Sequence, residues 1–228
     1  MKIEFLDAVD STNDYIRRYL NGRENVIVCA GTQTKGRGTK GRSFLSDEGG
    51  VYLSALIFPD ALPAENAFRV MAHAAVAVCR TAEAYGIDPQ IKWANDVFAC
   101  GKKLSGILIE NGFSGKFLKW SIVGIGVNAE NDLSEVDTAI SLSQAAGRNV
   151  PVEQARETLI EKFLKPSTFE EYLSYIRFLG QTVRVTEGVR EYDAIAVNVL
   201  ADGRLEIDDG KGIRALSAAE ISFRWGLK

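Results

Sequence analysis

One histidine, three scattered cysteines and no surplus of basic residues leave several chemistries without raw material. His73 is the sole imidazole and sits between Ala72 and Ala74 in a helical stretch. A Ser-His-Asp hydrolase or a histidine-rich metal centre therefore has little to build on. A satisfied or solvent-facing helix histidine is the expectation. Cys29, Cys79 and Cys100 are odd in number and form no CxxC pair, which disfavours a disulfide framework and a zinc site and suits a reducing cytoplasm. No 18-residue apolar run occurs, and acids interrupt the N-terminal residues 1–7, so neither a membrane span nor a signal peptide is expected. The 27 Lys and Arg against 30 Asp and Glu give a net charge of −3, opposite in sign to a general nucleic-acid binder. Repeats and low-complexity linkers are absent too. What remains, 228 residues with 46% hydrophobic and 25% charged, has the profile of a globular chain with one large domain, or one domain and a small appendage.

Periodicity sets out the elements. A short strand at 3–6 precedes a cluster of helix-capping residues, Asp10-Ser11-Thr12-Asn13-Asp14, and a helix that stops at Asn21-Gly22. Strands are expected at 26–30, 51–58 and 90–93, with a hairpin pair at 104–110 and 117–127. Phe68, Val70, Met71, Ala74, Ala75 and Val78 recur at helical spacing and predict a helix over 65–85, ended by Gly86. Further helices are expected at 138–146, 152–165 and 168–178. From Gly180 the texture changes to short strands at 182–186, 192–200, 205–207 and 213–216, punctuated by Asp202-Gly203 and Asp209-Gly210. The expected division is an α/β domain at 1–178 and a small β-barrel at 179–228. Trp93, Trp120 and Trp225 are expected to be packing residues.

Within the loop 31–50, the octet Lys35-Gly36-Arg37-Gly38-Thr39-Lys40-Gly41-Arg42 carries four cations, three glycines and no acid. Glycines let the backbone approach a ligand, and arginine's fork suits phosphate or carboxylate, so an anion cradle is one reading. A solvated flexible loop is the other. Gly36-x-Gly38-x-x-Gly41 matches the dinucleotide fingerprint literally, but no helix follows it to receive a pyrophosphate. Gly31-x-x-x-x-Gly36 lacks the Lys-Ser/Thr pair of a Walker loop. Lys92-Trp93-Ala94-Asn95-Asp96 reads as either a polar turn or a site edge. Gly124-Ile125-Gly126-Val127-Asn128 marks either a bulge or the close approach of a ligand or backbone.

Taken in order, these segments resemble the biotin protein ligase family. The residues that carry the resemblance are Ser11-Thr12-Asn13, Gln33, Gly36-Arg37-Gly38 through Gly41-Arg42, and Gly50 to Ser54. They continue with Lys92 to Asp96, Lys103-Leu104-Ser105-Gly106-Ile107-Leu108 and Gly124 to Asn128. The resemblance implies an α+β fold: a mixed β-sheet flanked by helices, like the class II synthetase catalytic domain, with a C-terminal SH3-like β-barrel. It implies a ligase that joins biotin and ATP, with Mg2+, into biotinyl-5'-AMP and passes biotin to a lysine of a biotin carboxyl carrier protein. That carrier belongs to acetyl-CoA carboxylase or another biotin-dependent carboxylase. Lys103 and Arg37 are implied as catalytic. Ser11, Thr12, Asn13, Gln33, Gly36, Gly38, Thr39 and Gly106 join them on the biotin side. Arg42, Phe44, Asn95 and Asn128 are implied on the nucleotide side, and no metal ligand is assigned.

Some relatives carry an N-terminal DNA-binding domain, whereas this chain starts at the catalytic segment. No sequence-specific DNA binding and no membrane partner are expected, and a homodimer is left open. Thr39 and Phe44 stand where the family commonly has arginine and tryptophan, and Ala94 replaces a usual proline. Thr39 removes a cation from the loop, from which a looser hold on the adenylate is expected. The alternatives are a lipoate-ligase-like enzyme and a non-catalytic biotin-binding sensor; the Gly-Arg-Gly loop and Lys-Trp-x-Asn-Asp favour biotin, and intact Lys103 and Arg37 favour turnover.

Overall fold

The computed structural model describes residues 1–131, 133, 135–217 and 221–224, of which Lys40 and 221–224 are described by backbone only. Trp225 lies outside the described residues. The strands of the first sheet are β1 (Lys2–Val9), β2 (Val26–Gln33), β3 (Gly50–Ile57), β4 (Pro89–Lys92), β5 (Asp96–Ala99), β6 (Lys102–Ser114) and β7 (Phe117–Asn128). They lie in the order β1-β2-β3-β7-β6-β5-β4. Only β1 and β2 run parallel among these pairs, so the sheet is mixed as expected.

Alternation along the strands sends successive side chains to opposite faces. Ile27, Cys29, Leu53, Ala55, Val123, Ile125 and Val127 face the main core, against α2 (Phe68–Ala84). The buried face of α2 is largely alanine and valine, small enough for the helix to lie close to both the sheet and α4 (Val152–Leu164). Val26, Val28, Leu56 and Ile122 face the other way. There they pack under Ile16 of α1 (Thr12–Ile16) in a second, smaller cluster. Each fully buried aliphatic side chain contributes roughly 1.5–3 kcal/mol relative to exposure.

The departures from expectation are local. β5 went unrecognised because four residues are too few to display alternation. The helix expected at 138–146 begins only at Leu142, as α3 (Leu142–Ala146). Residues 138–140 are drawn into backbone pairing with Lys103: its N–H donates to the Thr138 carbonyl at 2.8 Å, and the Ile140 N–H donates to the Lys103 carbonyl at 2.9 Å. Ser141 and Gln144 then form a capping box that starts the helix. The helix expected at 168–178 is the shorter α5 (Phe169–Ser174).

The second sheet contains β8 (Thr182–Glu187), β9 (Arg190–Val199), β10 (Leu205–Asp208), β11 (Ile213–Leu216) and β12 (Ile221–Arg224). It is antiparallel, in the order β11-β10-β9-β8-β12, and β12 was not anticipated. Val183, Val185, Ala196, Leu205 and Ile207 continue the main core without interruption. Trp93 is a packing residue: its buried indole N–H donates to the Gly203 carbonyl at 2.9 Å. Trp120 is half-buried against the smaller cluster. His73 bonds Ser167 Oγ and the Phe163 carbonyl, each at 2.8 Å, so it is a satisfied helix histidine. No helix among the described residues is long and apolar enough to cross a membrane.

Candidate active site

The face of the first sheet that carries α1 is apolar at one end and hollow at the other. Gly106 of β6 stands directly opposite Gly126 of β7, and Gly124 stands opposite Leu108 and Ser54. Two facing glycines leave a gap in the carpet of side chains. A cleft of about 680 Å3 opens over this gap, roofed by the loop between β2 and β3. Close approach explains the glycines. A Cβ on Gly124 would overlap Asn13 Oδ1, and one on Gly126 would come within 2.5 Å of Phe44 Cε1.

One wall comes from the start of α1. Ser11 is its N-cap residue but makes no side-chain cap bond, which leaves a buried hydroxyl on the cleft. The Thr12 N–H donates to Gln33 Oε1 at 2.8 Å, and this fixes which end of the Gln33 amide faces the wall. Gln33 Nε2 in turn donates to Ser46 Oγ at 2.9 Å. Ser54 Oγ lies 2.8 Å from Thr12 Oγ1 and 2.6 Å from Asn13 Oδ1, and Thr12 Oγ1 lies 3.0 Å from Gln33 Oε1. Three oxygen contacts thus share the single protons of two hydroxyls. The wall is one donor short, and a ligand N–H completes it.

The other wall is charged. Lys103 Nζ pairs with Asp96 Oδ1 at 2.7 Å, and Asn95 Nδ2 reaches the same oxygen at 3.2 Å. Asn95 also donates to the Ile107 carbonyl at 3.1 Å, which ties the loop before β5 to β6. The roof supplies Arg37 and Arg42, with Gly38, Thr39 and Ser43. The Phe44 ring rests over Gly106 and Gly126, edge-on to Tyr52 with ring centroids 6.5 Å apart. Arg37 Nη1 is held by Asp14 at 2.8 Å and by Glu110 at 3.4 Å.

Of the residues singled out in the sequence, Ser11, Thr12, Asn13, Gln33, Arg37, Gly38, Thr39, Arg42, Phe44, Asn95, Lys103 and Gly106 line this one cleft. Two do not. Gly36 lies behind it, where a Cβ would overlap the Phe44 carbonyl oxygen, so glycine is required for the roof to fold back on itself. Asn128 is buried, and its amide reaches the carbonyls of Lys103 at 3.4 Å and Ile140 at 3.3 Å. It steadies the backbone of Lys103. Ser54, Asp14 and Glu110 were missed. A serine inside the apolar run of β3 was a readable signal for the first; the two acids join the site through folding alone.

Residues 5–128 match the Biotin/lipoate A/B protein ligase family, and residues 178–224 match the Biotin protein ligase C terminal domain. The chain belongs to the biotin/lipoate A/B protein ligase family. Among its relatives, the bifunctional ligase/repressor BirA of Bacillus subtilis (strain 168) is 32% identical over 238 residues, covering 95% of this chain and 72% of that protein. The biotin--[acetyl-CoA-carboxylase] ligase of Paracoccus denitrificans is 27% identical, covering 96% and 99%. The biotin protein ligase from Aquifex aeolicus in complex with biotin and ATP superposes with a TM-score of 0.76 at 27% identity, over 99% of each chain. The fold of that ligase is therefore the fold of this chain, small C-terminal sheet included.

Proposed function

We propose that this chain is an ATP-dependent biotin protein ligase that forms biotinyl-5'-AMP and then biotinylates a lysine of a biotin carboxyl carrier protein. One observation carries the reading: the cationic pair Lys103 and Arg37 shares a cleft with the donor-deficient wall of Ser11, Thr12, Asn13 and Gln33. A ureido ring offers N–H donors to that wall, and the glycine floor admits a flat apolar ligand. In the first step a biotin carboxylate oxygen bonds to the α-phosphorus and the bond to pyrophosphate breaks. Both reactants are anions, so positive charge fixed beside the reacting atoms lowers the barrier. Lys103 supplies it from the β6 side, and Arg37 and Arg42 supply it from the roof. In the second step the carrier lysine attacks the acyl carbon and AMP leaves with the bonding electrons.

Mg2+ typically binds one or two carboxylates together with substrate phosphates. Asp96 fits that role: both its contacts above use Oδ1, so Oδ2 faces the cleft without a partner among the described residues. Bound there with the nucleotide, the ion would neutralise phosphate charge. The roof excludes water from the mixed anhydride. Residues 1–178 are assigned the chemistry and residues 179–228 the accessory domain.

The test is mass spectrometry of a purified carrier domain after incubation with this protein, MgATP and either biotin or lipoate. Addition of one biotinyl group to a single lysine is expected. No modification, or modification by lipoate alone, refutes the reading.

A further inference from the structure

The roof between β2 and β3 is a flap with a firm base and a lightly held tip. At the base, the Thr34 N–H donates to the Val9 carbonyl at 2.9 Å, and the Lys35 N–H donates to the Asp10 carbonyl at 2.8 Å. Beyond Lys35 the backbone bonds are internal: Gly38 N–H to the Arg42 carbonyl at 2.7 Å, and Phe44 N–H to the Gly36 carbonyl at 2.9 Å. Among the described residues, the tip's polar link to the body is Arg37, gripped by Asp14 and Glu110.

Glu110 has a second duty. Its Oε1 accepts from Asn13 Nδ2 at 3.0 Å as well as from Arg37, and its Oε2 pairs with Arg17. One carboxylate oxygen therefore sees both the ligand wall, through Asn13, and the flap, through Arg37. Asp14 is the next residue after Asn13 on α1, so the helix presents its amide to the cleft and its acid to the flap.

From this arrangement we infer that Glu110 and Asp14 are positioning residues that clasp the flap through Arg37, and that Glu110 couples flap closure to occupancy of the wall at Asn13. The inference rests on the ligase reading for the identity of the occupant, but not for the clasp itself. A ligand that orders Asn13 strengthens the closed flap, and by linkage a closed flap tightens the ligand by the same factor. Neither acid touches the reacting atoms. Their loss should speed opening and leakage and leave the chemistry in place at saturating substrate.

Trypsin reads the flap directly, because Lys35, Arg37, Lys40 and Arg42 all lie in it. Initial flap cleavage is compared for the full chain, Glu110→Gln and Asp14→Asn, with and without biotin plus MgATP. Cleavage of a transiently opened segment follows its open population when opening is fast. Exposed ion pairs are individually weak, so two lost contacts predict about a 3- to 10-fold increase without ligand. Release of the adenylate should accelerate similarly, and biotin affinity should fall further in Glu110→Gln than in Asp14→Asn. In an Arg37→Ala background, Glu110→Gln should add nothing to the cleavage rate, a result that a merely structural role for Glu110 would not give. Asp14 is 43% exposed, so Asp14→Asn keeps the test open should Glu110→Gln fold poorly. Wild-type cleavage in both variants, or an undiminished Glu110→Gln effect without Arg37, overturns the clasp. A wild-type protein that forms no adenylate while its variants are cleaved faster refutes the ligase reading and upholds the clasp.

Discussion

Adding one methyl group at Gly124 tests whether Asn13 works from a fixed position. The new Cβ would overlap Asn13 Oδ1 and lie 3.0 Å from Cγ. A free side chain would swing aside at little cost. Asn13 is instead held at both ends, with Oδ1 2.6 Å from Ser54 Oγ and Nδ2 3.0 Å from the Glu110 carboxylate. Moving it forfeits one neutral hydrogen bond, about 1 kcal/mol, and one charged bond, about 1.5–3 kcal/mol. The two are not additive, so about 2 kcal/mol is a fair expectation for Gly124→Ala, or roughly a 30-fold loss of biotin affinity. Gly124 has no left-handed backbone conformation, so alanine adds no strain of its own and the thermal midpoint should move little. Calorimetric titration with biotin, together with KM for biotin and for ATP, gives the readout. The partner variant is Gly126→Ala, whose Cβ meets Phe44 and spares Asn13, so its larger effect should fall on ATP. Biotin affinity at the wild-type value in Gly124→Ala, or equal losses for both substrates, would refute the argument.

Three further outcomes follow from the same geometry. Lys103→Ala should lose well over tenfold in adenylation, followed as pyrophosphate release with biotin and MgATP, since it removes a charge at the reacting centre; a near-normal rate would take Lys103 off the catalytic list. Thr39→Arg restores a flap cation and should reduce stray biotinylation of bystander lysines, and equal labelling by both proteins would sink that view. Burial holds the His73 imidazole below its ordinary value, so as pH falls the unfolded chain takes up the proton first. Stability from this site is therefore full above about pH 6.5 and declines on acidification towards the lowered folded value. His73→Gln should flatten the dependence of Tm on pH between about 7.5 and 5.5; identical slopes would contradict it.

The residues that were legible in the sequence are those whose chemistry is unusual where it stands. Glycines in the middle of β7 and a dense cationic octet are poor choices for packing, so they pointed to a ligand. The close approaches at Gly124 and Gly126 are to Asn13 and Phe44, side chains that themselves line the cleft. The glycines are thus set by the walls as much as by the ligand. Asn128 was misjudged because its motif is contiguous with those glycines, yet it lies at the end of β7 under the backbone of Lys103. Pairing register, which no single segment reveals, brought Ser54 opposite Gly124 and set Glu110 below the flap.

The missed acids also account for the cleft before substrate arrives. Lys103, Arg37 and Arg42 converge on one space, and without counter-charges they would repel one another and scatter into solvent. Asp96 holds Lys103, while Asp14 and Glu110 hold Arg37. The charges are fixed before the reaction, which is what electrostatic preorganisation requires. Arg37 meets both acids through Nη1, which leaves Nε and Nη2 for an anion while the clasp stays closed. Lys103 is different. Its ammonium contacts Asp96 where a substrate anion must compete, so its release depends on a cation that takes over the carboxylate. A metal-bearing triphosphate brings both the anion for Lys103 and the cation for Asp96. That exchange couples activation of the lysine to arrival of the nucleotide, and it gives a physical reason for a carboxylate alone to bind without reacting.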